Sequence, residues 1–393
     1  MIQPTTAPTA PRARTRTSRW LAVLAAAAAS ALTLTACDSS ASGPSDGPGV
    51  SAAHGSEAKA FVAKYSGDLT FIPPGKPIDI TSLKGKTVWI IPSDLSIPFM
   101  QTVANGYKEA AAAAGLDAVV FDGKGSTKEY NRGIQQAIGT KAAAIALISI
   151  RSSFVSGALK EAQSAKIPVI GVSTIDAHES PQEGTAGAAT FDYVASGKLL
   201  AAYAVAHTPG PVRAVFSHVP EFVELEKLRS GVESGIEEYC SSNCSVATIN
   251  SQVATFKTQV PTQVQSELKR KPDTNWVFPA FDGQAVFAAS AVRQAGKGDS
   301  IRIGSINGVK ANLDLIKNGD VQVVDVGASN TWQGWAAFDR ALRAMLGEPP
   351  AVSEVPIKLF DKENLEGIDT SSEDALFKGA DYRSEYKKLW ELS

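Results

Sequence analysis

The residues of this sequence best suited to chemistry are three cysteines and four histidines, and their spacing limits what that chemistry can be. Cys240 and Cys244 stand four residues apart in CSSNC, which fits a disulfide, two free thiols or half of a metal site. The metal site is the weakest of these alternatives because the histidines form no ligand-spaced cluster with the two cysteines. Cys37 stands apart from them, directly after Ala36 and a run of apolar residues. The histidines are His54, His178, His207 and His218.

The common catalytic signatures are missing from the sequence. It has no G-x-x-x-x-G-K-S/T phosphate loop, no H-E-x-x-H zinc motif, no G-x-G-x-x-G dinucleotide loop and no G-x-S-x-G at an expected strand-to-helix turn. Catalytic groups can be scattered along a chain, so these absences lower the expectation of an enzyme without excluding one. We therefore expect a protein that binds its ligand without transforming it and that uses no cofactor and no metal.

The first 36 residues resemble a bacterial lipoprotein signal. Trp20 to Leu34 form an apolar run of 15 residues, which is shorter than the ~20 residues that a membrane-spanning helix needs. The resemblance implies that residues 1–36 are removed and that Cys37 carries a lipid. The alternative is an ordinary cleaved signal in which this cysteine is an accidental neighbour. The arginines of the positive segment are Arg12, Arg14, Arg16 and Arg19.

Composition predicts a tethered, water-soluble body. Residues 37–56 are rich in Ser, Gly, Ala and Pro, as in a flexible linker. Without residues 1–36 the formal charge falls from -2 to -6, so no basic surface for nucleic acid is indicated. Outside the cytoplasm a disulfide is the favoured state of Cys240 and Cys244. We expect the protein on the extracytoplasmic face of the cell membrane, held there by its lipid.

From Lys86 onward, short apolar runs alternate with helical patterns, which is typical of a parallel α/β sheet. The alternation restarts near residue 186, and about 340 residues exceed what one core serves, so two lobes are expected. Ligands of such sheets bind beyond the carboxyl ends of the strands. The expected strands cover residues 87–93, 117–121, 143–150, 167–173, 186–191, 212–218, 245–250, 275–281, 301–306 and 321–327.

An ordered series of segments extends this pattern over roughly residues 86–360. It opens with TVWIIPSDLSIPFMQTVANGYKEAAAAAGLDAVVF and continues through KIPVIGVS, FPAFDGQAVFAASAVRQAGK, IGSING and VQVVDVGASNTWQGWAAFDRALRAMLGE. The series resembles the type I periplasmic binding proteins of the ribose and simple-sugar class. The resemblance implies an α/β fold of two doubly wound parallel-sheet lobes that close on a ligand by a hinge.

The same resemblance implies three hinge crossovers between the lobes, near 189–191, 327–330 and 355–357. The chain should then pass between the lobes three times. The resulting boundaries are 57–85 for an N-terminal extension, 86–189 plus 330–355 for lobe 1, and 190–329 plus 356–393 for lobe 2 with the C-terminal tail.

Carried over to this sequence, the family pattern implies a ligand site between the lobes. Its residues come from loops that follow the strands and from the second crossover. The implied ligand-binding residues are Ser93, Phe99, Met100, Ser173, Thr174, Phe256, Phe281, Asp282, Asn307, Asn330 and Trp332.

The sequence departs from the sugar binders in the polar groups of this site. Ile97 and Phe281 stand where those proteins usually have Asn, and Ser173-Thr174 replace an Asp-Arg pair. Asn307 replaces an Asp. A sugar hydroxyl buried without a partner costs ~1–3 kcal/mol, so we expect a ligand less polar than ribose, such as a deoxy or substituted sugar, a glycoside or an aromatic compound.

Structural roles compete with these assignments. Phe256 and Phe281 are equally well explained as core aromatics, Asp282 as a helix cap and Asn307 as a turn residue. Trp335 is expected in the core because it lies on a helix. A solvated face is expected for three glutamates near one strand end: Glu221, Glu224 and Glu226.

Together these features predict the substrate-binding component of an ABC importer. It would capture a small sugar-like or less polar molecule and pass it to a membrane permease driven by an ATPase. Two other classes stay open, a receptor lipoprotein that feeds a membrane sensor and a secreted lipoprotein enzyme. Adjacent permease and ATPase genes would favour the importer, and turnover of the ligand would favour the enzyme.

Overall fold

The computed structural model describes residues 52–240 and 242–392. The expected signal at 1–36, its lipid acceptor Cys37 and most of the expected linker lie outside these residues. Within the described part, no helix combines the length and the apolar character that crossing a bilayer requires.

Twelve strands of the described residues form two six-stranded sheets. The strands are β1 (Thr87–Pro92), β2 (Asp117–Val120), β3 (Ile145–Ile148), β4 (Val169–Val172), β5 (Gly187–Thr190), β6 (Arg213–His218), β7 (Ser245–Asn250), β8 (Trp276–Pro279), β9 (Arg302–Ile306), β10 (Gln322–Ala328), β11 (Val352–Glu354) and β12 (Ile357–Asp361). The strand order is β11-β5-β4-β3-β1-β2 in lobe 1 and β12-β10-β9-β8-β6-β7 in lobe 2. All neighbours pair in parallel except β12, which runs antiparallel to β10.

Helices cover both faces of each sheet. They are α1 (Ala52–Ala63), α2 (Pro98–Ala113), α3 (Thr127–Gly139), α4 (Ser156–Ser164), α5 (Tyr193–Ala206), α6 (Glu224–Tyr239), α7 (Phe256–Arg270), α8 (Asp282–Gln294), α9 (Lys310–Lys317), α10 (Asn330–Met345), α11 (Glu373–Leu376) and α12 (Tyr382–Leu389). All four residues of β3 and of β8 are buried, as expected for strands covered on both sides. In lobe 1, α2 and α10 cover one face and α3 and α4 the other.

Two helix pairs pack with their backbones nearly touching, because glycines stand at the contacts. A Cβ atom on Gly106 of α2 or on Gly334 of α10 would collide with the backbone of the partner helix. Gly197 of α5 and Gly231 of α6 form the same kind of contact in lobe 2. These pairs hold the helices that begin at the cleft between the lobes.

The expected fold class is confirmed, with two doubly wound α/β lobes and three crossovers. The chain passes from β5 to α5 through residues 191–192, from β10 to α10 through Ser329, and from β11 to β12 through residues 355–356. Each of the ten expected strands is present within a few residues of its predicted bounds. The edge strands β11 and β12 were not expected.

The N-terminal extension differs from its expectation. Helix α1 begins at Ala52, inside the segment expected as a linker, and packs on α5 and α6 of lobe 2. Tyr65 then accepts a hydrogen bond from the backbone N–H of Leu359, whereas Ile78 donates its N–H to the carbonyl of Leu389 beside lobe 1. The extension therefore connects the two lobes instead of lying apart from them.

The assignment of the whole C-terminal tail to lobe 2 is corrected by the structure. Strand β12 does complete the sheet of lobe 2, but α12 returns to lobe 1 and packs on α10. Trp390 stacks on Trp335 with ring centroids 5.4 Å apart, and its indole N–H donates to Asp339 over 2.9 Å. The aromatic side chains of α12 are removed from water by packing against the apolar surface of α10.

Candidate functional site

The carboxyl ends of the two sheets face each other, and the loops that follow the strands there form a cleft. Pro98, with its fixed φ, starts α2 directly after the β1 loop. Three residues that directly follow strands in this cleft have positive φ angles: Ser149 at 49°, Ser173 at 48° and Asn307 at 114°. Such backbone conformations are unfavourable for residues other than glycine and are concentrated at functional sites.

Both lobes line a small cavity in the cleft. Its volume is about 20 Å³, which is room for about one water molecule. A sugar-sized ligand can therefore enter only if the lobes or their side chains move apart. The lining residues are Ile97, Phe99, Met100 and Ser149 from lobe 1, and Tyr193, Phe222, Glu224, Leu225, Phe281, Ile306 and Asn307 from lobe 2.

Phe281 joins the cavity to the aromatic core of lobe 2. Its ring centroid lies 6.1 Å from that of Phe222 and 5.4 Å from that of Phe256, with both pairs edge-on. Phe281 and Phe222 line the cavity, but Phe256 lies behind Phe281 and does not reach it. For Phe256 the structure thus favours the core role over the expected ligand contact.

The first loop places its apolar side chains in the cavity and uses its hydroxyl internally. Phe99 and Met100 line the cavity. Ser93 is fully buried, and its hydroxyl donates to Met100 Sδ over 3.1 Å. Ser93 therefore orients a cavity side chain and is not itself part of the lining.

Ser173 and Thr174, which follow β4, also lie just outside the lining. Ser173 Oγ accepts a hydrogen bond of 2.8 Å from Gln333 Nε2 on α10. Thr174 Oγ1 and Gln333 Oε1 are buried, and neither has a hydrogen-bond partner.

Asn307 and Asn330 link β9 to the start of α10. Asn307 lines the cavity, and its backbone carbonyl accepts a hydrogen bond of 2.9 Å from Asn330 Nδ2. The other amide atom of Asn330, Oδ1, is buried without a partner. Asn330 does not line the small cavity but borders an adjoining groove between the lobes.

The structure places Asp282 outside the cavity, where it supports the loop that carries Asn307. Its carboxylate accepts hydrogen bonds from Ser305 Oγ over 2.5 Å and from the N–H of Val309 over 2.7 Å. Burial raises the pKa of Asp282, and burial together with the neighbouring Asp282 carboxyl raises that of Asp325. The expected ligand contact of Asp282 is thus replaced by a positioning role.

Trp332 is likewise absent from the cavity lining. It stacks on Tyr382 of the tail, with centroids 5.1 Å apart and planes within 6°, and on Phe71 of the extension at 5.7 Å. The reason is that α10 turns this side chain toward α12, which packs on lobe 1 and not on lobe 2 as expected. Trp335 lies in the core as expected, with 1% of its surface exposed.

Glu224 is the cavity residue whose position differs most from its expectation. It was expected on a solvated face, yet only 3% of its surface is exposed, and its side chain lines the cavity. Burial raises its pKa to about 8, against the opposing effects of its own backbone N–H, the Ser149 hydroxyl and the Arg151 guanidinium. At neutral pH this carboxyl is therefore largely protonated in the closed cleft. Glu226, by contrast, pairs with Arg229 at the surface as expected.

A signal for the burial of Glu224 was present in the sequence. The apolar residues Leu228, Val232 and Ile236 recur at helical spacing, and Glu224 stands four residues before the first of them, on the same face. No comparable pattern marks Ser149 or Tyr193, which reach the cavity through loop conformation and through the start of α5. Hydrogen bonding between the Tyr193 hydroxyl and Ser173 joins the start of α5 to the loop after β4.

Asp176, His178 and Asp192 form the one described group of side chains close enough together to share a metal ion. Asp192 belongs to the first crossover, and the other two lie in the loop after β4. Both carboxylates cap α5: Asp176 accepts from the N–H of Tyr193 over 2.9 Å, and Asp192 accepts from the N–H of Ala195 over 2.7 Å. Helix capping accounts for this cluster without a metal.

Comparison with known families decides the identity of the fold. The sequence model of the family described as "Periplasmic binding protein domain" matches residues 88–349. These residues include most of both lobes and the cleft residues described above. The chain belongs to this family.

Among characterised periplasmic binding proteins, the chain is similar to the ribose import binding protein RbsB of Bacillus subtilis (strain 168). The two are 25% identical over 251 residues, which are 63% of this chain and 78% of that protein. RbsB of Salmonella typhimurium is 28% identical over 251 residues, covering 62% and 79% of the two chains. These matches confirm that the chain is a type I periplasmic binding protein of the sugar class.

Solved structures of periplasmic binding proteins show the same fold. The 5-methylthioribose transporter solute binding protein of Thermotoga lettingae TMO has a TM-score of 0.69 at 18% identity, covering 81% of this chain and all of that one. The myo-inositol binding protein of Caulobacter has a TM-score of 0.64 at 22% identity, covering 71% and 94%. Both of these relatives are binding proteins. The single G-x-S-x-G of the sequence, GPSDG at 43–47, lies outside the described residues.

Proposed function

We propose that this protein is the lipid-anchored, extracytoplasmic substrate-binding component of an ABC importer, and that it captures a sugar-like molecule less polar than ribose. The observation that carries the proposal is the cavity to which both lobes contribute, in a member of a sugar-class binding family. Seven of its eleven lining side chains are aliphatic, Phe or Met. A ligand held there touches both lobes and therefore stabilises the closed form over the open one.

Polar contacts at the rim of the cleft support a hinge that closes around the ligand. Arg151 Nη2 donates to the carbonyl of Pro220 over 2.9 Å, and Lys227 pairs with Glu179 at 2.7 Å. Each contact joins lobe 1 to lobe 2. Because both pairs are partly exposed, each contributes little energy, and ligand contacts can decide between the open and closed forms. A permease can then recognise the loaded protein by its shape.

The apolar lining favours a substituted sugar over a fully hydroxylated one. The Thermotoga relative is bound to 5-methylthioribose, a ribose in which a methylthio group replaces one hydroxyl. Phe99, Phe222 and Phe281 offer faces for such a group, whereas ribose would leave hydroxyls without partners. The supporting evidence is thus the chemistry of the lining together with that relative.

The test is a thermal-shift panel of ribose, myo-inositol, 5-methylthioribose and aryl glycosides. A ligand at 100 times its Kd adds ~2.7 kcal/mol to the stability of the native state, which for about 340 residues raises Tm by roughly 4 °C. We expect the less polar compounds to produce this shift. Micromolar binding of ribose, with no response to the less polar ligands, would refute the ligand class.

Two cleft variants connect the shift to the cavity. Phe281→Leu should reduce it, whereas Phe287→Leu, on the far side of Phe256 from the cavity, should not. Asn307→Gly should also reduce the shift, because it removes a side chain that lines the cavity. The φ of 114° at this position suits glycine, so the change does not strain the backbone. Ligand shifts unchanged in both cleft variants would place the binding site elsewhere.

The anchor and the transporter are tested separately. Cys37→Ser should move the protein from the membrane fraction to the soluble fraction, because two acyl chains at ~0.8 kcal/mol per buried methylene are lost. Ser39→Ala is the matched control. Copurification with a permease, or ligand-dependent stimulation of its ATPase, would support the importer; copurification with a sensor kinase would support the receptor instead.

A further inference from the structure

In the described part of the chain, the lining of the cavity contains an acidic side chain but no basic one. Glu224 is the only acidic side chain that lines it, and among the described residues no Lys, Arg or His joins that lining. Its contact in the cavity is the hydroxyl of Ser149, across the cleft in lobe 1. A carboxyl group so placed stays neutral by keeping a proton, or ionises when a cation enters.

One basic side chain acts on Glu224 from a distance, and none of the described residues forms an ion pair with it. Arg151, on the loop after β3, is the nearest basic side chain. Its guanidinium keeps its charge but is directed elsewhere, since Nη2 donates to the carbonyl of Pro220, the group lies 5.4 Å from the ring centroid of Phe154, and Nε is buried without a partner. From the start of α5, Tyr193 contributes a phenol that is neutral at physiological pH, because burial raises its pKa.

Aromatic rings surround the same space. Phe99 faces the cavity from lobe 1, and Phe222 and Phe281 face it from lobe 2. The negative faces of aromatic rings attract cations, most strongly where water is excluded. Ring faces and one carboxyl group together are complementary to an ammonium group attached to an apolar or lightly hydroxylated frame.

We propose that the ligand of this cleft carries a protonated amine, which pairs with the carboxylate of Glu224 and packs against the rings of Phe99, Phe222 and Phe281. The inference rests on the proposed function and narrows its ligand to amine-bearing molecules such as amino sugars or arylalkyl amines. On binding, the neutral Glu224 releases its proton to solvent while the ammonium keeps its own. Binding is therefore coupled to pH.

The experiment compares amine and hydroxyl partners of one frame by calorimetry: 5-amino-5-deoxyribose with ribose, glucosamine with glucose, and 2-phenylethylamine with 2-phenylethanol. For at least one pair we expect the amine to bind at least tenfold more tightly than its partner. Titrations at pH 7 in two buffers of different ionisation enthalpy should show release of about 0.9 proton per bound amine, as follows from a pKa of about 8. At pH 9 the release should fall to about 0.1 proton.

Glu224→Gln should abolish both the amine preference and the proton release. Glu237→Gln removes a charge from the exposed side of the same helix and should change neither. If Glu224→Gln does not fold, proton release by the unmodified protein decides the matter alone. Equal binding of the neutral partners without proton release would overturn the amine proposal while leaving the importer proposal intact. Failure of every amine to bind would also overturn the amine proposal. The importer proposal would then be tested by the thermal-shift panel alone.

Discussion

Glu224 gives the sharpest test of the closed cleft, because its burial predicts how stability changes with pH. Its pKa is about 8 in the folded protein, against an ordinary value of 4.5. Between these values the folded protein holds a proton that the unfolded chain has released. Stability must then fall as the pH rises through this window, and the loss is complete above the folded-state pKa.

The size of the effect follows from the same two values. One pKa unit corresponds to 1.36 kcal/mol, so the full penalty is roughly 5 kcal/mol, and about 4 kcal/mol of it develops between pH 5 and pH 9. Glu224→Gln keeps the shape of the side chain and removes its titration. Relative to the unmodified protein, the variant should therefore gain about 4 kcal/mol in unfolding free energy across that range.

Urea unfolding at pH 5 and pH 9 measures this gain. Other buried acids, such as Asp282 and Asp325, titrate equally in both proteins, so their effects cancel in the difference. Glu237→Gln, exposed on the same helix, is the control and should show parallel profiles with the unmodified protein. If Glu224→Gln also gives a parallel profile, the carboxyl is solvated in solution, and the argument from a closed, apolar cleft is refuted.

Two further predictions concern packing and buried charge. Gly197→Ala should destabilise the protein by about 1–3 kcal/mol, because the new Cβ would collide with the backbone of α6, whereas Gly157→Ala, in open space on α4, should stabilise it by ~0.5–1 kcal/mol. Asp339→Asn should lower the unfolding free energy by ~3–5 kcal/mol, because the carboxylate accepts from buried Arg343 over 2.8 Å; Asp320→Asn, in a surface pair with an arginine, should cost under ~1 kcal/mol. Urea titrations check both, and equal effects within either pair would contradict the packing or burial argument.

Much of the fold was predictable because its signals are local. Apolar runs such as TVWIIPS and AAIALISI mark strands buried on both faces, and the alternation with helical patterns implies parallel pairing. The strand ends that face the cleft were predictable for the same reason. The individual residues there were implied by the family resemblance, and four of them line the cavity: Phe99, Met100, Phe281 and Asn307.

The remaining site residues depend on which helix face meets which neighbour. Trp332 stands in the second crossover region, where the family pattern implied a ligand contact, but the aromatic side chains of α12 draw it into a stack. Asp282 stands next to Phe281, yet the first turn of α8 directs its carboxylate to the loop after β9. Adjacent residues point in different directions on a helix, so spacing along the chain could not separate these roles.

Hydrophobic periodicity and strand order are written locally along the chain, so the sequence by itself determined the two-lobed architecture, whereas the crossovers and the apolar character of the cleft were implied by its resemblance to the sugar-class binding proteins. Only the tertiary structure decided that Glu224 is buried and that Trp332 and Asp282 are turned away from the cavity. It also decided that the N-terminal extension and the C-terminal tail connect the lobes. The physical reason is that burial depends on surfaces brought together from distant parts of the chain. The pKa of Glu224 is raised because side chains from both lobes bury it and keep away the water that would otherwise solvate it.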